Sequence, residues 1–188
     1  MKEFQLLSAH RKGRDGVEGL NERIERQLGV RKRTGSPWYN GRPVIMTRND
    51  YELGLFNGDL GITQKISSDE SEHLRVGIAA FDKQQQQEVI RLRRPAQLQE
   101  METCWALSVH KSQGSEYPAV VIPVMTQHYA MLQRNLIYTG VTRGKKLVVL
   151  VGQKKAVAIA VKNVAGRQRW SKLNEWLAED PLVGVTTR

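Results

Sequence analysis

Cysteine is almost missing from this sequence: Cys104 is the only one in 188 residues. A lone thiol excludes an internal disulfide and a Cys-rich zinc site. His10, His73, His110 and His128 are scattered, with no pair at ligand spacing, so no metal site is expected from this chain alone. No apolar run approaches the roughly 20 residues that a membrane-spanning helix needs. The first residues also lack the apolar stretch and small-residue cleavage site of a secretory signal. The expected location is cytoplasmic, with no membrane partner. Two further absences concern nucleotides. There is no Gly-x-x-x-x-Gly-Lys-Ser/Thr phosphate loop, because Gly144-Lys145 is followed by Lys146 and lacks the preceding Gly. No apolar strand ends in an acidic pair suited to Mg2+.

What is present in excess is positive charge. The 29 Lys and Arg outnumber the 19 Asp and Glu, for a formal net charge of +10. That balance favours a polyanionic partner, nucleic acid being the commonest, although solubility alone is another use of such charge. Hydrophobic residues make up 40% of the chain, ordinary for a globular protein. The length suits one core, or one core with a small inserted domain.

Along the chain the pattern changes twice. Phe4 to Ser8 reads as a short strand, followed by the basic loop His10 to Gly16. Val17, Leu20, Ile24 and Leu28 then recur at helical spacing, predicting a helix that buries this stripe and stops at Gly29. A breaker-rich basic linker, Arg31 to Pro37, follows. From about 39 to 98, short apolar runs alternate with turns: Pro43 to Thr47, Leu60 to Ile66, Leu74 to Phe81 and Val89 to Leu92. Such spacing without helices predicts a small antiparallel sheet or barrel. The α/β rhythm returns with Trp105 to Val109, Ala119 to Val124 and Leu147 to Val151, runs expected to be strands covered on both faces. Helices are expected at Met131 to Thr142, Lys154 to Lys162 and Ser171 to Ala178, the last with Trp170 and Trp176 as core or docking residues. The fold class is α/β with a mostly parallel sheet, interrupted by a β insert; the expected units are 1–38, 39–98 and 99–188.

Two stretches carry chemistry. Ser108-Val109-His110-Lys111-Ser112-Gln113-Gly114-Ser115-Glu116 follows one apolar run and precedes another, which predicts a loop at a strand end, where α/β sheets bind ligands. Hydroxyls and backbone N–H groups suit phosphate oxygens, and a carboxylate suits a ribose hydroxyl. A polar loop with a Gly turn is the alternative. The second stretch, Arg134 to Lys146, ends in three cations that favour a helix C-terminus; Arg143 can instead neutralise charge on a γ-phosphate across a cleft. Asn57-Gly58-Asp59 is ordinary hairpin chemistry. Trp38, Tyr39 and Phe56 fit barrel packing better than base stacking.

Read together, these stretches resemble motifs V and VI of superfamily 1 helicases, in matching order and spacing. The nearest group is the RecD-like helicases, the exodeoxyribonuclease V alpha subunit family. The basic loop and helix up to Asn21 resemble the motif IV region; Arg42 to Met46, Asn49-Asp50 and Phe56 to Gly61 resemble the entry to that family's SH3-like insert. The resemblance implies a RecA-like second motor domain with an SH3-like β-barrel insert. It implies that Arg143 is the γ-phosphate arginine, and that Glu116 holds the nucleotide ribose near Gly114, so that both border the nucleotide. Gln113 would sense nucleotide state, and Ser108, His110, Lys111 and Ser112 would line a single-stranded DNA path. ATP and Mg2+ would be bound mainly by an N-terminal motor domain. That domain, single-stranded DNA and the other subunits of a helicase–nuclease complex are the implied partners. Gly144 stands where many relatives have Ala, which puts local helix stability in question. Three readings remain: a DNA helicase portion, a non-enzymatic nucleic-acid-binding module, and part of an RNA helicase or relaxase-helicase.

Overall fold

The computed structural model describes residues 3–32, 34–68, 71–82, 86–126 and 132–164. The expected helix Ser171 to Ala178, Trp170 and Trp176 lie outside the described residues, as do His128 and Met131. Strands β1 (Phe4–Ser8), β7 (Ala106–Ser108), β8 (Tyr117–Val124) and β9 (Gly144–Gly152) form a parallel sheet in the order β7-β1-β8-β9. Helices α1 (Val17–Gln27), α2 (Arg134–Val141) and α3 (Lys154–Lys162) accompany it. An antiparallel sheet, ordered β5-β4-β3-β2-β6, is built from β2 (Pro43–Met46), β3 (Leu60–Ser68), β4 (Ser71–Asp82), β5 (Gln87–Arg93) and β6 (Met101–Thr103). The last strand, β6, lies past the expected boundary at 98. It pairs with β2 from Val44↔Thr103 to Met46↔Met101, so the antiparallel unit closes at Thr103.

The cores of the two units meet at β2. Its side chains alternate, as extended backbone requires. Val44 and Met46 enter the insert's core with Val76, Ile78 and Leu55. Ile45 enters the core of the parallel unit with Cys104, Leu107, Val120 and Ile122. One four-residue strand is therefore buried on both faces by two different cores.

Helix α1 has its expected bounds and stop, with Gly29 at φ +64° and its N–H donating to the Arg26 carbonyl. Its buried face is not the expected one. Val17, Leu20 and Ile24 are only half-buried and Leu28 is 59% exposed, whereas Asn21 and Glu25 are buried. The reason is the junction with the insert. Asn21 Nδ2 donates to the Thr103 carbonyl at 2.9 Å, and its Oδ1 accepts the Ala106 N–H at 2.8 Å. Glu25 accepts from the Tyr39 hydroxyl at 2.8 Å and from Lys32, and the Trp105 indole N–H donates to the same tyrosine oxygen at 3.0 Å. Polar side chains fully satisfied in this way can be buried where apolar ones would leave backbone groups unpaired.

Strand β8 is fully covered on one face, where Val120, Ile122 and Val124 are at most 1% exposed, and only half-covered on the other, where Ala119, Val121 and Pro123 lie. Strand β9 is barely covered. Among the described residues it pairs only with β8, and Leu147, Leu150 and Val151 are 55%, 38% and 46% exposed. An unbroken apolar run records which faces can be covered and says nothing of a strand's place in the sheet.

The Asn21 bridge makes a testable demand. Asn21→Ala leaves the Ala106 N–H and Thr103 carbonyl without their partner and is expected to cost about 2–3 kcal/mol in urea unfolding. Cys104, whose thiol burial pushes up to about 12, should resist a thiol reagent at neutral pH in the parent and react faster in the variant. A loss below about 0.5 kcal/mol, the range of ordinary surface substitutions, would remove Asn21 from this role.

A candidate nucleotide and nucleic-acid interface

The segment 109–116 joins two parallel strands separated by β1. Ser108 lies opposite Ser8, while Ala119 lies opposite Phe4. The chain therefore leaves β7 at the sheet's C-terminal edge and enters β8 at its N-terminal edge, about six residue steps or roughly 20 Å away. Sequence reasoning placed the whole stretch at one strand end. The structure stretches it across the sheet.

Hydrogen bonds keep the crossing rigid. The Lys111 N–H donates to Ser108 Oγ at 3.2 Å, the Gln113 N–H to the His110 carbonyl at 3.2 Å, and the Ser115 N–H to the Ser112 carbonyl at 3.0 Å. Gly114 reverses direction at φ +84°, a conformation that costs glycine little. Ser112 is fully buried, and its hydroxyl donates to the Val109 carbonyl at 2.7 Å. It fixes the turn, which corrects its expected place on a DNA path: a committed, buried hydroxyl offers nothing to a phosphate.

Of the expected residues at the C-terminal edge, His110 is exposed, while Ser108 and Lys111 are half-buried. Lys111 Nζ lies 3.1 Å from Glu102 Oε2. Burial pushes the Glu102 carboxyl up, but its bonds to Lys111 and Arg11 outweigh that and hold it below the usual carboxylate range. Between the edges, His110 and Gln113 line a cleft of about 250 Å³ against Asn135 and Thr139 of α2.

At the N-terminal edge Arg143 and Glu116 come together. The Arg143 guanidinium is half-buried. Its Nε donates to the Thr139 carbonyl, one Nη to the Ser115 carbonyl and the other to Thr142 Oγ1, each at 3.2 Å. These are neutral acceptors, and among the described residues no carboxylate lies within ion-pair distance of it. Two of the five guanidinium N–H donors stay uncommitted. Glu116 is exposed and pairs with Lys145 at 2.9 Å; that hydrogen bond, the lysine's charge and Arg143 hold its carboxyl below the usual range. The Tyr117 N–H donates to the Arg143 carbonyl at 2.8 Å, tying the start of β8 to the turn before β9.

Sequence reasoning missed Glu102 and Trp105. Neither carries a motif, and each acts through partners distant in sequence. Trp38 stacks under Arg42, whose Cζ lies 4.7 Å from the ring centroid. Phe56 is 53% exposed, against the expectation that it packs inside the barrel. Among the described residues no group of three or more His, Cys, Asp or Glu is placed to hold a metal.

Residues 103–151 match the UvrD-like helicase C-terminal domain, and residues 18–77 match the SH3 domain of ATP-dependent RecD-like DNA helicases. The chain is 35% identical over 171 residues to the RecBCD enzyme subunit RecD of Mycolicibacterium smegmatis, covering 89% of this chain and 28% of that protein. Against the ATP-dependent RecD2 DNA helicase of Deinococcus radiodurans it is 35% identical over 170 residues, covering 88% and 22%. The chain belongs to the RecD-like helicases. It spans about a quarter of the length of the curated relatives it matches. A crystal structure of a Pif1 helicase from Bacteroides, in complex with ADP-AlF3 and ssDNA, shares the fold. Its TM-score is 0.51 at 15% identity, covering 94% of this chain and 45% of that one. The parallel sheet is thus the RecA-like part, and the antiparallel sheet is the family's SH3-like insert. The SH3 match begins inside α1, the helix whose Asn21 and Glu25 hold the insert.

Gly144 is also reassigned. Helix α2 ends at Val141, and Gly144 opens β9, so helix stability is not at stake there. An added Cβ would meet Val148 Cγ2 at 2.8 Å and the Leu147 carbonyl oxygen at 2.9 Å. Gly144→Ala is therefore expected to cost about 1–3 kcal/mol through overpacking, read as a lowered melting temperature. An unchanged melting temperature would mean that the β9 backbone yields at this point.

Proposed function

We propose that this chain is the second motor domain of an ATP-dependent DNA helicase or translocase of the exodeoxyribonuclease V alpha type, moving 5′ to 3′ on single-stranded DNA. The observation that supports this most is the crossing of 109–116. Residues suited to phosphate contact stand at one edge of the sheet, and Glu116 with Arg143 stands at the other, joined by one short, hydrogen-bonded segment.

On this reading a first motor domain supplies the phosphate loop and holds most of ATP and its Mg2+. Arg143 reaches the γ-phosphate as an arginine finger, using the N–H donors its own domain leaves open. Gly114 and Glu116 approach the ribose, and Gln113 reports nucleotide state to the crossing. Ser108, His110 and Lys111 grip DNA phosphates without regard to sequence. ATP closes the cleft because Arg143 gains a phosphate partner only in the closed state, and hydrolysis removes it. The unit boundaries are 1–38, 39–103 and 104–188, the second moved to include β6. Cytoplasmic location and partnership in a helicase–nuclease complex belong to the same proposal; no described helix is long and apolar enough to cross a membrane.

One observation favours a second reading, a non-enzymatic nucleic-acid-binding module working through the insert. A groove of about 810 Å³ is lined by Trp38, Trp105, Arg31, Lys65, Arg75 and Arg94, among others, and cations beside aromatic rings suit a single strand. An RNA helicase or relaxase-helicase differs only in substrate, which strand-displacement assays on DNA and RNA separate.

Arg143→Ala in the complete helicase polypeptide is expected to lower DNA-stimulated ATP turnover about 10³-fold or more, the usual worth of such an arginine, with single-strand affinity within about twofold. Unchanged turnover would take Arg143 out of the mechanism and leave the binding-module reading in possession.

A further inference from the structure

The C-terminal ends of β1 and β7 carry the same short pattern. Ser8-Ala9-His10-Arg11 and Ser108-Val109-His110-Lys111 start from register partners, since Ser8 lies opposite Ser108 in the parallel pair. In each, the serine oxygen accepts a backbone N–H from the turn that follows, from His10 at 3.4 Å and from Lys111 at 3.2 Å. In each, the next residue, Ala9 or Val109, is buried. Two neighbouring strands thus end on a serine that anchors the following bend, at i+2 in one and i+3 in the other, and each delivers a cation three residues past that serine.

The two cations converge. Arg11 Nη2 lies 2.6 Å from Glu102 Oε1, and Lys111 Nζ lies 3.1 Å from Glu102 Oε2. Each takes a separate oxygen of one carboxylate, which reaches in from β6 of the insert. Arg11 Nε also bonds Glu18 at 2.9 Å, which keeps the guanidinium aimed when its other partner leaves. The side chains of Arg11, Glu102 and Lys111 are 60%, 37% and 31% exposed, so the cluster opens to solvent. Lys12 and Arg14 are exposed on the same loop. A phosphodiester presents two charged oxygens to Arg and Lys much as a carboxylate does. Ion pairs this exposed are individually weak, and so can be exchanged.

We propose that Arg11 and Lys111 together form a clamp for one backbone phosphate of single-stranded DNA, and that the Glu102 carboxylate occupies this clamp until the phosphate displaces it. The proposal rests on the DNA-path reading of Lys111 and adds to it a second cation and a built-in competitor. Because Glu102 belongs to the insert, engagement of DNA releases one of the insert's polar ties to the motor sheet.

The test uses the complete helicase polypeptide without nucleotide and a fluorescein-labelled oligothymidylate, with anisotropy read across a salt series. Glu102→Gln, which keeps shape and removes charge, is expected to tighten binding about three- to tenfold by freeing both cations. Arg11→Gln should weaken binding and lower the slope of log affinity against log salt by about 0.7, the value for one single-strand phosphate contact. In the double variant the gain from Glu102→Gln should shrink by at least about half, because only one cation remains to be freed. Unchanged or weaker binding by Glu102→Gln with an unaltered melting curve overturns the proposal, as does an unchanged salt slope in Arg11→Gln. Arg11 is exposed, so that arm stays decisive even where Glu102→Gln loosens the β6 junction. Lys111→Gln separates the two levels. Weakened binding there, with no effect at Arg11 or Glu102, sinks the clamp alone; unaltered binding there sinks the DNA-path reading as well.

Discussion

In a parallel sheet, a segment that leaves one strand at its end must travel back before the next can begin. Here residues 109–116 make that return in eight residues, passing β1 on the way. The constraint is geometric, and it decides where every group of interest stands. Lys111 and His110 stay near the edge where β7 ends; Ser115, Glu116 and the Arg143 side chain bound to Ser115 gather where β8 starts. The segment has little slack, because its turns are closed by hydrogen bonds and Ser112 is sunk in the interior. A displacement at one edge is therefore poorly absorbed before it reaches the other, the property a domain needs if nucleotide and nucleic acid are to act on each other through it.

The insert is joined to this sheet by two unlike means. Through β2 it shares apolar packing, with Ile45 in one core and its neighbours in the other. Through α1 it is held by buried polar groups: Asn21 on Thr103 and Ala106, and Glu25 on Tyr39 and Lys32. Apolar packing sets how strongly the units adhere, but it tolerates sliding. Directional hydrogen bonds fix the register of one sheet on the other, and a buried donor left unpaired by a slip costs about 1–3 kcal/mol.

Much of this was legible in the sequence. Unbroken apolar runs marked β8 and β9, a short apolar run marked β1, and alternating turns marked β2 to β5, because those signals are local. The strands of the insert proved longer than their apolar cores, since pairing from Lys65↔Leu74 to Ser68↔Ser71 carries β3 and β4 past the apolar stretch. The face of α1 was misread because apolar periodicity assumes an apolar partner, and this helix meets backbone carbonyls and a tyrosine hydroxyl instead. Ser112 was misread because a hydroxyl in a polar loop looks the same whether it faces water or its own backbone. The convergence on Glu102 was out of reach, since Arg11 and Glu102 are 91 residues apart. The repeated Ser-x-His-cation pattern at residues 8–11 and 108–111, however, stood in plain view.

The two edges of the sheet differ in how they hold their cations. At the N-terminal edge, Arg143 is held by two carbonyls and a hydroxyl, which direct the guanidinium while leaving its charge intact. An anion arriving there need not first break an ion pair with Arg143. At the other edge, Arg11 and Lys111 share Glu102, and Arg11 pairs with Glu18 as well, so on the clamp proposal an incoming phosphate gains only the difference between itself and a carboxylate. The same residue chemistry thus gives one strongly poised site and one readily exchanged site. On the proposed reading that asymmetry suits a motor domain, in which the nucleotide must drive a closure and the grip on the strand must be released at every step.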